Sequence, residues 1–117
     1  MEFNPKKATY TVLDNKEQLD KILKENLGVL LYFSKVTCNV GGALEPKIIE
    51  LLENEYPKIP FYFVDMDKTP DIAAAYTVFV EPTVIVVFDG KETIRKSRIF
   101  SIAELSDAIK RIYNIAF

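Results

Sequence analysis

Apolar runs alternate along the chain with segments in which apolar residues recur at helical spacing. Continuous or β-branched apolar runs predict strands over residues 8–13, 29–33, 61–64 and 83–88. Asp89-Gly90, a pair typical of hairpin turns, then leads into a more polar strand over residues 91–96.

Helical spacing of apolar residues predicts a helix after each of the first two strands. The first is expected to begin at a capping pair formed by Asp14 and Glu17 and to end near Gly28. The second follows Cys38 and runs to about Glu55. Pro46 lies inside it and is expected to remove one hydrogen bond and kink the helix.

Two further helices complete the pattern. Residues 71–76 predict a short one, and the capping box of Ser101 and Glu104 opens a last, amphipathic one. The element order is therefore β-α-β-α-β-α-β-β-α. Apolar strands that alternate with helices predict an α/β fold, with a partly parallel central sheet covered on both faces and ending in an antiparallel hairpin.

The amino-acid composition excludes several kinds of functional site. The chain has 117 residues, a net charge of −2, one cysteine and no histidine. It cannot form an internal disulfide, a zinc finger or a Ser-His-Asp triad, and we expect no metal and no cofactor. Charges of both signs are spread along the chain, so nucleic-acid and membrane partners are not expected. We expect a single domain over residues 1–117, located in the cytoplasm, where a free thiol stays reduced.

The lone cysteine, Cys38, lies between a predicted strand and the first turn of a predicted helix. Unpaired backbone amides and the helix dipole favour a thiolate at such a position. A lone cysteine is otherwise commonly a small buried apolar residue. The pattern alone leaves both interpretations open.

The segment around Cys38, F-S-K-V-T-C-N-V-G-G-A-L-E-P, resembles the active-site segment of thioredoxins. In that family an aromatic-ended strand leads to W-C-G-P-C, and a proline follows in the same helix. Val80-Glu81-Pro82-Thr83-Val84 similarly resembles the family's loop with a cis-proline. The resemblance covers nearly the whole chain and implies a thioredoxin-like fold, a central mixed sheet of about five strands flanked by four helices.

The resemblance also implies a site. Cys38 would be the attacking thiol, and a cis peptide before Pro82 would present the loop backbone to an extended peptide. The residues it places at the substrate-binding rim are Thr37, Asn39, Val40, Gly41, Val80, Glu81, Pro82 and Arg98.

Departures from the family pattern limit the expected reaction. Gly41 stands where thioredoxins have their second cysteine, which resolves the mixed disulfide. Tyr32 and Phe63 stand at the positions of the family's buried aspartate and nearby lysine. A mixed disulfide formed at Cys38 would therefore need an outside thiol for its release.

The rim is altered as well. Thr37 replaces a large apolar side chain, and Glu81 replaces a small apolar one. A carboxylate close to Cys38 would raise the pKa of the thiol and repel anionic thiols such as glutathione. Arg98 is expected to pair with Glu81, unless both are solvated surface charges.

Two hypotheses follow. The first is a monothiol, thioredoxin-like protein that exchanges disulfides with protein or low-molecular-weight thiols through Cys38, a thiol-disulfide oxidoreductase without the resolving cysteine. The second is a non-catalytic binding module that uses the groove beside Pro82. A monothiol glutaredoxin is disfavoured because C-N-V-G lacks the C-G-F-S signature. We expect a monomer, with a Cys38-linked dimer as the alternative.

Overall fold

A computed structural model of the chain describes residues 10–35, 44–97 and 99–117. Within these ranges the element order is the predicted one. The elements are β1 (Thr11–Val12), α1 (Lys16–Glu25), β2 (Gly28–Ser34), α2 (Leu44–Glu55), β3 (Phe61–Asp65), α3 (Pro70–Ala75), β4 (Thr83–Phe88), β5 (Lys91–Ser97) and α4 (Ile102–Ala116). The helices within the described ranges are all too short or too polar to cross a bilayer.

The five strands form one mixed sheet in the order β1-β3-β2-β4-β5. β3 pairs in parallel with β1 and with β2, whereas β4 pairs antiparallel with β2 and with β5. Every residue of the central strand β2 is buried. This explains its continuous apolar sequence, because a strand covered on both faces has no solvent side to fill with polar residues.

Alternate residues of β2 contribute to two cores on opposite faces of the sheet. Leu30 and Tyr32 pack with residues of α2 and α4, and Leu31 and Phe33 pack with residues of α1 and α3. The predicted α/β architecture, a mixed five-stranded sheet with four helices, is confirmed within the described residues.

Two local predictions are also confirmed. Asp89 and Gly90 have φ of 53° and 76°, the left-handed values that a tight two-residue hairpin turn requires. In α4 the Ser101 hydroxyl accepts from the Glu104 amide and the Glu104 carboxylate accepts from the Ser101 amide, which is the predicted capping box.

The start of α1 corrects the prediction by one residue. Asn15, not Asp14, caps the helix, and its side chain accepts a hydrogen bond from the Gln18 amide at 2.8 Å. The Gln18 side chain in turn accepts from the Asp14 amide at 2.6 Å. The capping residue is therefore Asn15, the Gln18 side chain binds the amide of the residue before it, and Glu17 is only an acidic residue in the first turn.

Two other predictions concern residues that lie partly outside the described ranges. The first strand is described only over β1, and residues 8 and 9 lie outside those ranges. The described part of α2 begins at Leu44, so Pro46 stands in its first turn. The predicted kink depends on the turn before Leu44, which is likewise outside the described residues.

Candidate functional site

The described part of the predicted site, residues 80–82, lies at the edge of the sheet where β2 ends. β4 and β5 run antiparallel to their neighbours, so Thr83 at the start of β4 pairs with Phe33 near the end of β2 and with Ser97 at the end of β5. The chain segment with Cys38 starts at this edge, and the loop of residues 80–82 reaches the sheet at the same edge. Val80, Glu81 and Pro82 are thereby brought beside the start of that segment.

The remaining predicted site residues lie outside the described residues. These are Thr37, Cys38, Asn39, Val40, Gly41 and Arg98. The loop 80–82 and the strand ends around it are within the described residues.

The peptide bond between Glu81 and Pro82 is cis, the isomer that the family resemblance implies. Beside it, Oε1 of Glu81 accepts two hydrogen bonds, from the Ser34 hydroxyl at 2.9 Å and from the Lys35 backbone amide at 3.0 Å. We call this pair of hydrogen bonds the Glu81 anchor. It joins the loop 80–82 to the last residue of β2 and to the residue that follows it.

Ser34 is a residue of the site that sequence reasoning missed. Only 6% of its surface is exposed, and a buried hydroxyl needs a hydrogen-bond partner. A serine that ends an otherwise apolar strand was the available signal. Arg98, the expected partner of Glu81, is outside the described residues, so that pairing stays a prediction; the donors described for Glu81 are Ser34, in β2, and Lys35, which follows it.

Thr83 holds the loop from its other side. Its hydroxyl, almost fully buried, donates to the Val80 carbonyl at 2.7 Å and lies 3.3 Å from the Ser97 hydroxyl. The loop is thus bound to β2 through Glu81, and to β5 through Thr83.

Charged side chains surround this edge at the surface. Lys35 Nζ lies 3.9 Å from a carboxylate oxygen of Asp67, and Lys68 Nζ lies 2.6 Å from one of Asp14. All four side chains are more than 40% exposed, so water screens these ion pairs and each contributes at most about 1 kcal/mol to stability.

Behind the site the core is aromatic. Tyr32 and Phe63 are nearly fully buried and are partners in the β2–β3 register, with ring centroids 5.6 Å apart. Phe61 and Tyr10 extend the group, the latter stacked on Phe63 at 5.5 Å. The two positions where the family has an aspartate and a lysine are therefore filled by packed rings.

A titratable pair lies beside the same aromatic group. Burial raises the pKa of Glu45, in the first turn of α2, although a hydrogen bond with Tyr10 acts in the opposite direction. The pKa of Tyr10 is raised by burial first and then by the negative charge of Glu45. Sequence reasoning missed this pair, because its members are 35 positions apart in the chain and neither belongs to a recognised motif.

Two large apolar side chains are exposed next to the predicted rim. Phe79, immediately before Val80, is 79% exposed, and Ile99, immediately after Arg98, is 97% exposed. Large exposed apolar side chains can contribute to surfaces that bind other molecules. Each of these two is adjacent in sequence to a residue of the predicted rim, whose members are mainly polar or small.

The sequence and the fold of the chain can be compared with those of known proteins. Residues 10–111 match the protein family described as Thioredoxin. The Thioredoxin-like protein YdfQ of Bacillus subtilis (strain 168) is 25% identical over 105 residues, which cover 90% of this chain and 93% of that protein.

Solved structures agree with that family match. The X-ray structure of Fasciola hepatica thioredoxin has a TM-score of 0.75 and 31% identity, and the match covers 86% of this chain and 97% of that one. Mitochondrial thioredoxin 3 from Saccharomyces cerevisiae, in its oxidised form, has a TM-score of 0.78 and 25% identity over 91% and 98% of the two chains.

Proposed function

The chain belongs to the thioredoxin family, and from that premise we propose that it exchanges disulfides through a mixed disulfide at Cys38. The observation that carries the proposal is the position of the loop 80–82. Its residues lie at the sheet edge from which the segment with the chain's single thiol departs.

The exchange would occur in two steps. The Cys38 thiolate attacks one sulfur of a substrate disulfide, a bond forms between Cys38 Sγ and that sulfur, and the substrate S–S bond breaks. The second substrate sulfur leaves as a thiolate and takes a proton from water. The thiolate of an external thiol then attacks the substrate sulfur of the mixed disulfide. A bond forms between these two sulfurs, the bond to Cys38 Sγ breaks, and Cys38 leaves as a thiolate.

The external thiol is required because Gly41 occupies the position of the family's resolving cysteine, and the chain has no second cysteine elsewhere. The substrates are disulfides of proteins or of small thiols. The carboxylate of Glu81 disfavours anionic partners such as glutathione, because like charges repel. Val80 and Pro82 would orient the bound peptide, with Thr37, Asn39, Val40, Gly41 and Arg98 as the other proposed rim residues.

The proposal is tested by the pH dependence of Cys38 alkylation. A thiol activated for exchange should have a pKa below the value of about 8.5 for a free cysteine. Cys38→Ser provides the blank for the alkylation signal. A pKa at or above the free value contradicts a redox role for Cys38.

A second candidate function is a non-catalytic binding module that uses the same loop. The exposure of Phe79 and Ile99 favours it, because these side chains offer apolar contacts that do not involve sulfur. Under this alternative Cys38→Ser leaves partner binding intact, whereas Phe79→Ser weakens it. Under disulfide exchange, Cys38→Ser abolishes capture of partners on a non-reducing gel.

Location and assembly remain proposals from the sequence. We propose a cytoplasmic monomer, in which a reducing environment keeps Cys38 free for exchange. A Cys38-linked dimer is the alternative. A dimer band on a non-reducing gel that disappears in Cys38→Ser would identify it.

A further inference from the structure

The Glu81 anchor joins two parts of the chain that are distant in sequence. Glu81 is 47 residues from Ser34 and 46 from Lys35. Both donors bond the same oxygen, Oε1, so the carboxylate is held at one point by two neighbouring residues. Such a contact fixes the separation between the loop 80–82 and the end of β2, rather than the internal conformation of either part.

The anchor is stronger than a neutral contact would be. A hydrogen bond to a carboxylate is about twice as strong as one between neutral groups. Ser34 is buried, so loss of its acceptor would leave a hydroxyl without a hydrogen bond and away from water. The backbone of Ser34 is fixed as well, because it pairs with Asp65 and its carbonyl accepts from the Met66 amide at 2.8 Å.

The other end of the loop has an independent attachment. Thr83 binds the Val80 carbonyl and contacts Ser97 on β5. Removal of the anchor would therefore release the side of the loop next to the Cys38 segment and leave its β5 side in place.

We propose that Glu81 is a positioning residue for disulfide exchange, which holds the loop 80–82 against the end of β2 through Ser34 and Lys35. A peptide disulfide that pairs with the backbone at Val80 is then presented to the segment that carries Cys38. This inference rests on the proposed function. The positioning role depends on the acceptor oxygen of Glu81 and on where that oxygen lies, not on the negative charge of the carboxylate.

The experiment compares two disulfides and four variants. The first disulfide is a pentapeptide, Ala-Ala-Cys-Ala-Ala, linked to thiopyridine. The second is dipyridyl disulfide, which has no peptide to align. Both release thiopyridone when Cys38 attacks. The variants are Glu81→Ala, Glu81→Gln, Ser34→Ala and the double alanine variant, and Glu50→Ala on the exposed side of α2 is the matched control.

The anchor predicts a defined pattern of rates. Glu81→Ala and Ser34→Ala each slow the peptide reaction by about tenfold or more, the effect of losing a hydrogen bond to a charged group. The double variant is no slower than either single one, because both changes remove the same contact. Glu81→Gln, which keeps an acceptor oxygen, restores the peptide rate to within about threefold of the natural rate. The dipyridyl rate of each variant records any change in the reactivity of Cys38 itself, including the effect of removing the charge of Glu81. The peptide rates are therefore compared as ratios to the dipyridyl rate of the same variant. Glu50→Ala matches the natural chain with both disulfides.

Hydrogen exchange at the Lys35 amide tests the anchor without using Cys38. Its exchange should be accelerated by about tenfold or more in Glu81→Ala and remain slow in Glu81→Gln. If Glu81→Gln behaves like Glu81→Ala in the peptide reaction, Glu81 acts through its charge and the inference is wrong. An unchanged Lys35 exchange in Glu81→Ala, or additive effects in the double variant, overturns it as well. If the natural chain reacts with neither disulfide, the proposed function fails, and the Lys35 measurement alone decides whether the anchor exists.

Discussion

Replacement of Tyr32 by aspartate would restore the family's buried acid to a position that is now aromatic. Tyr32 is 1% exposed, and its ring lies 5.7 Å from that of Phe61 and 5.6 Å from that of Phe63. The surrounding side chains form a packed apolar layer, so a carboxylate placed at this position alone would be unfavourable. Tyr32→Asp is therefore expected to destabilise the fold strongly.

The magnitude has two parts. Truncation of a large, fully buried aromatic side chain costs about 3–5 kcal/mol. An unpaired carboxylate buried in the space left behind adds several kcal/mol. The sum exceeds about 5 kcal/mol, which is much or all of the 5–15 kcal/mol that stabilises a typical domain. Tyr32→Asp should be largely unfolded at pH 7. It should recover stability relative to the natural chain as the pH falls, because burial raises the pKa of the introduced carboxyl.

Urea denaturation followed by circular dichroism measures the effect at pH 7 and at about pH 4. Tyr32→Phe is the control, since it keeps the ring and should lose no more than about 1.5 kcal/mol. If Tyr32→Asp remains within about 1 kcal/mol of the natural chain at pH 7, the region is wetter or looser than the structure shows.

Other perturbations test separate contacts. Glu45→Gln should stabilise the chain more at pH 7 than at about pH 4. Burial raises the pKa of Glu45, so its ionised form costs stability as the pH rises above the ordinary glutamate pKa of 4.5. Urea denaturation curves at the two pH values measure the difference, and an equal effect at both would refute it. Arg95→Ala should lower the free energy of unfolding by about 1–2 kcal/mol. The Arg95 guanidinium donates to the Tyr76 carbonyl at 2.5 Å, at the end of α3, and the variant loses this hydrogen bond. An unchanged urea denaturation midpoint would mean that water replaces the contact.

Strong local signals made much of the fold predictable. β4 was predicted with both of its ends, because an unbroken β-branched and apolar run lies between Pro82 and the Asp89-Gly90 turn. α4 was predicted from its capping box. In both cases the residues that define the element are close together in sequence, so local preference and tertiary structure agree.

The start of α1 shows where local signals become ambiguous. Asp14 with Glu17 and Asn15 with Gln18 have the same spacing, and each pair has a side chain that can cap a helix. The sequence offers both registers. The structure uses the second, in which Gln18 also binds the Asp14 amide.

The site was predictable only in part, and the family resemblance supplied that part. It pointed to the loop 80–82, but it could not supply the partners of Glu81. Those partners depend on β2 and β4 being neighbours in the sheet, which brings residues 46 and 47 positions apart into contact. A hydroxyl and a backbone amide carry no charge that a sequence pattern reveals, so charge could indicate only Arg98, whose pairing with Glu81 stays a prediction.

A cysteine introduced at position 41 distinguishes a site that lacks only its resolving thiol from a site that has changed its function. In Gly41→Cys, a gain of insulin-disulfide reduction would show that only the resolving thiol is missing. Continued inactivity would show that other changes, including the rings of Tyr32 and Phe63 behind the site, also prevent the full cycle.

The most direct test of the account is the fate of the mixed disulfide at Cys38. The natural chain is mixed with a peptide disulfide without any other thiol, and intact-mass spectrometry follows the adduct before and after addition of a neutral small thiol. We predict an adduct that forms faster than it does on free cysteine, persists, is released only by the added thiol, and is absent from Cys38→Ser. An adduct no faster than that of free cysteine would contradict exchange at Cys38.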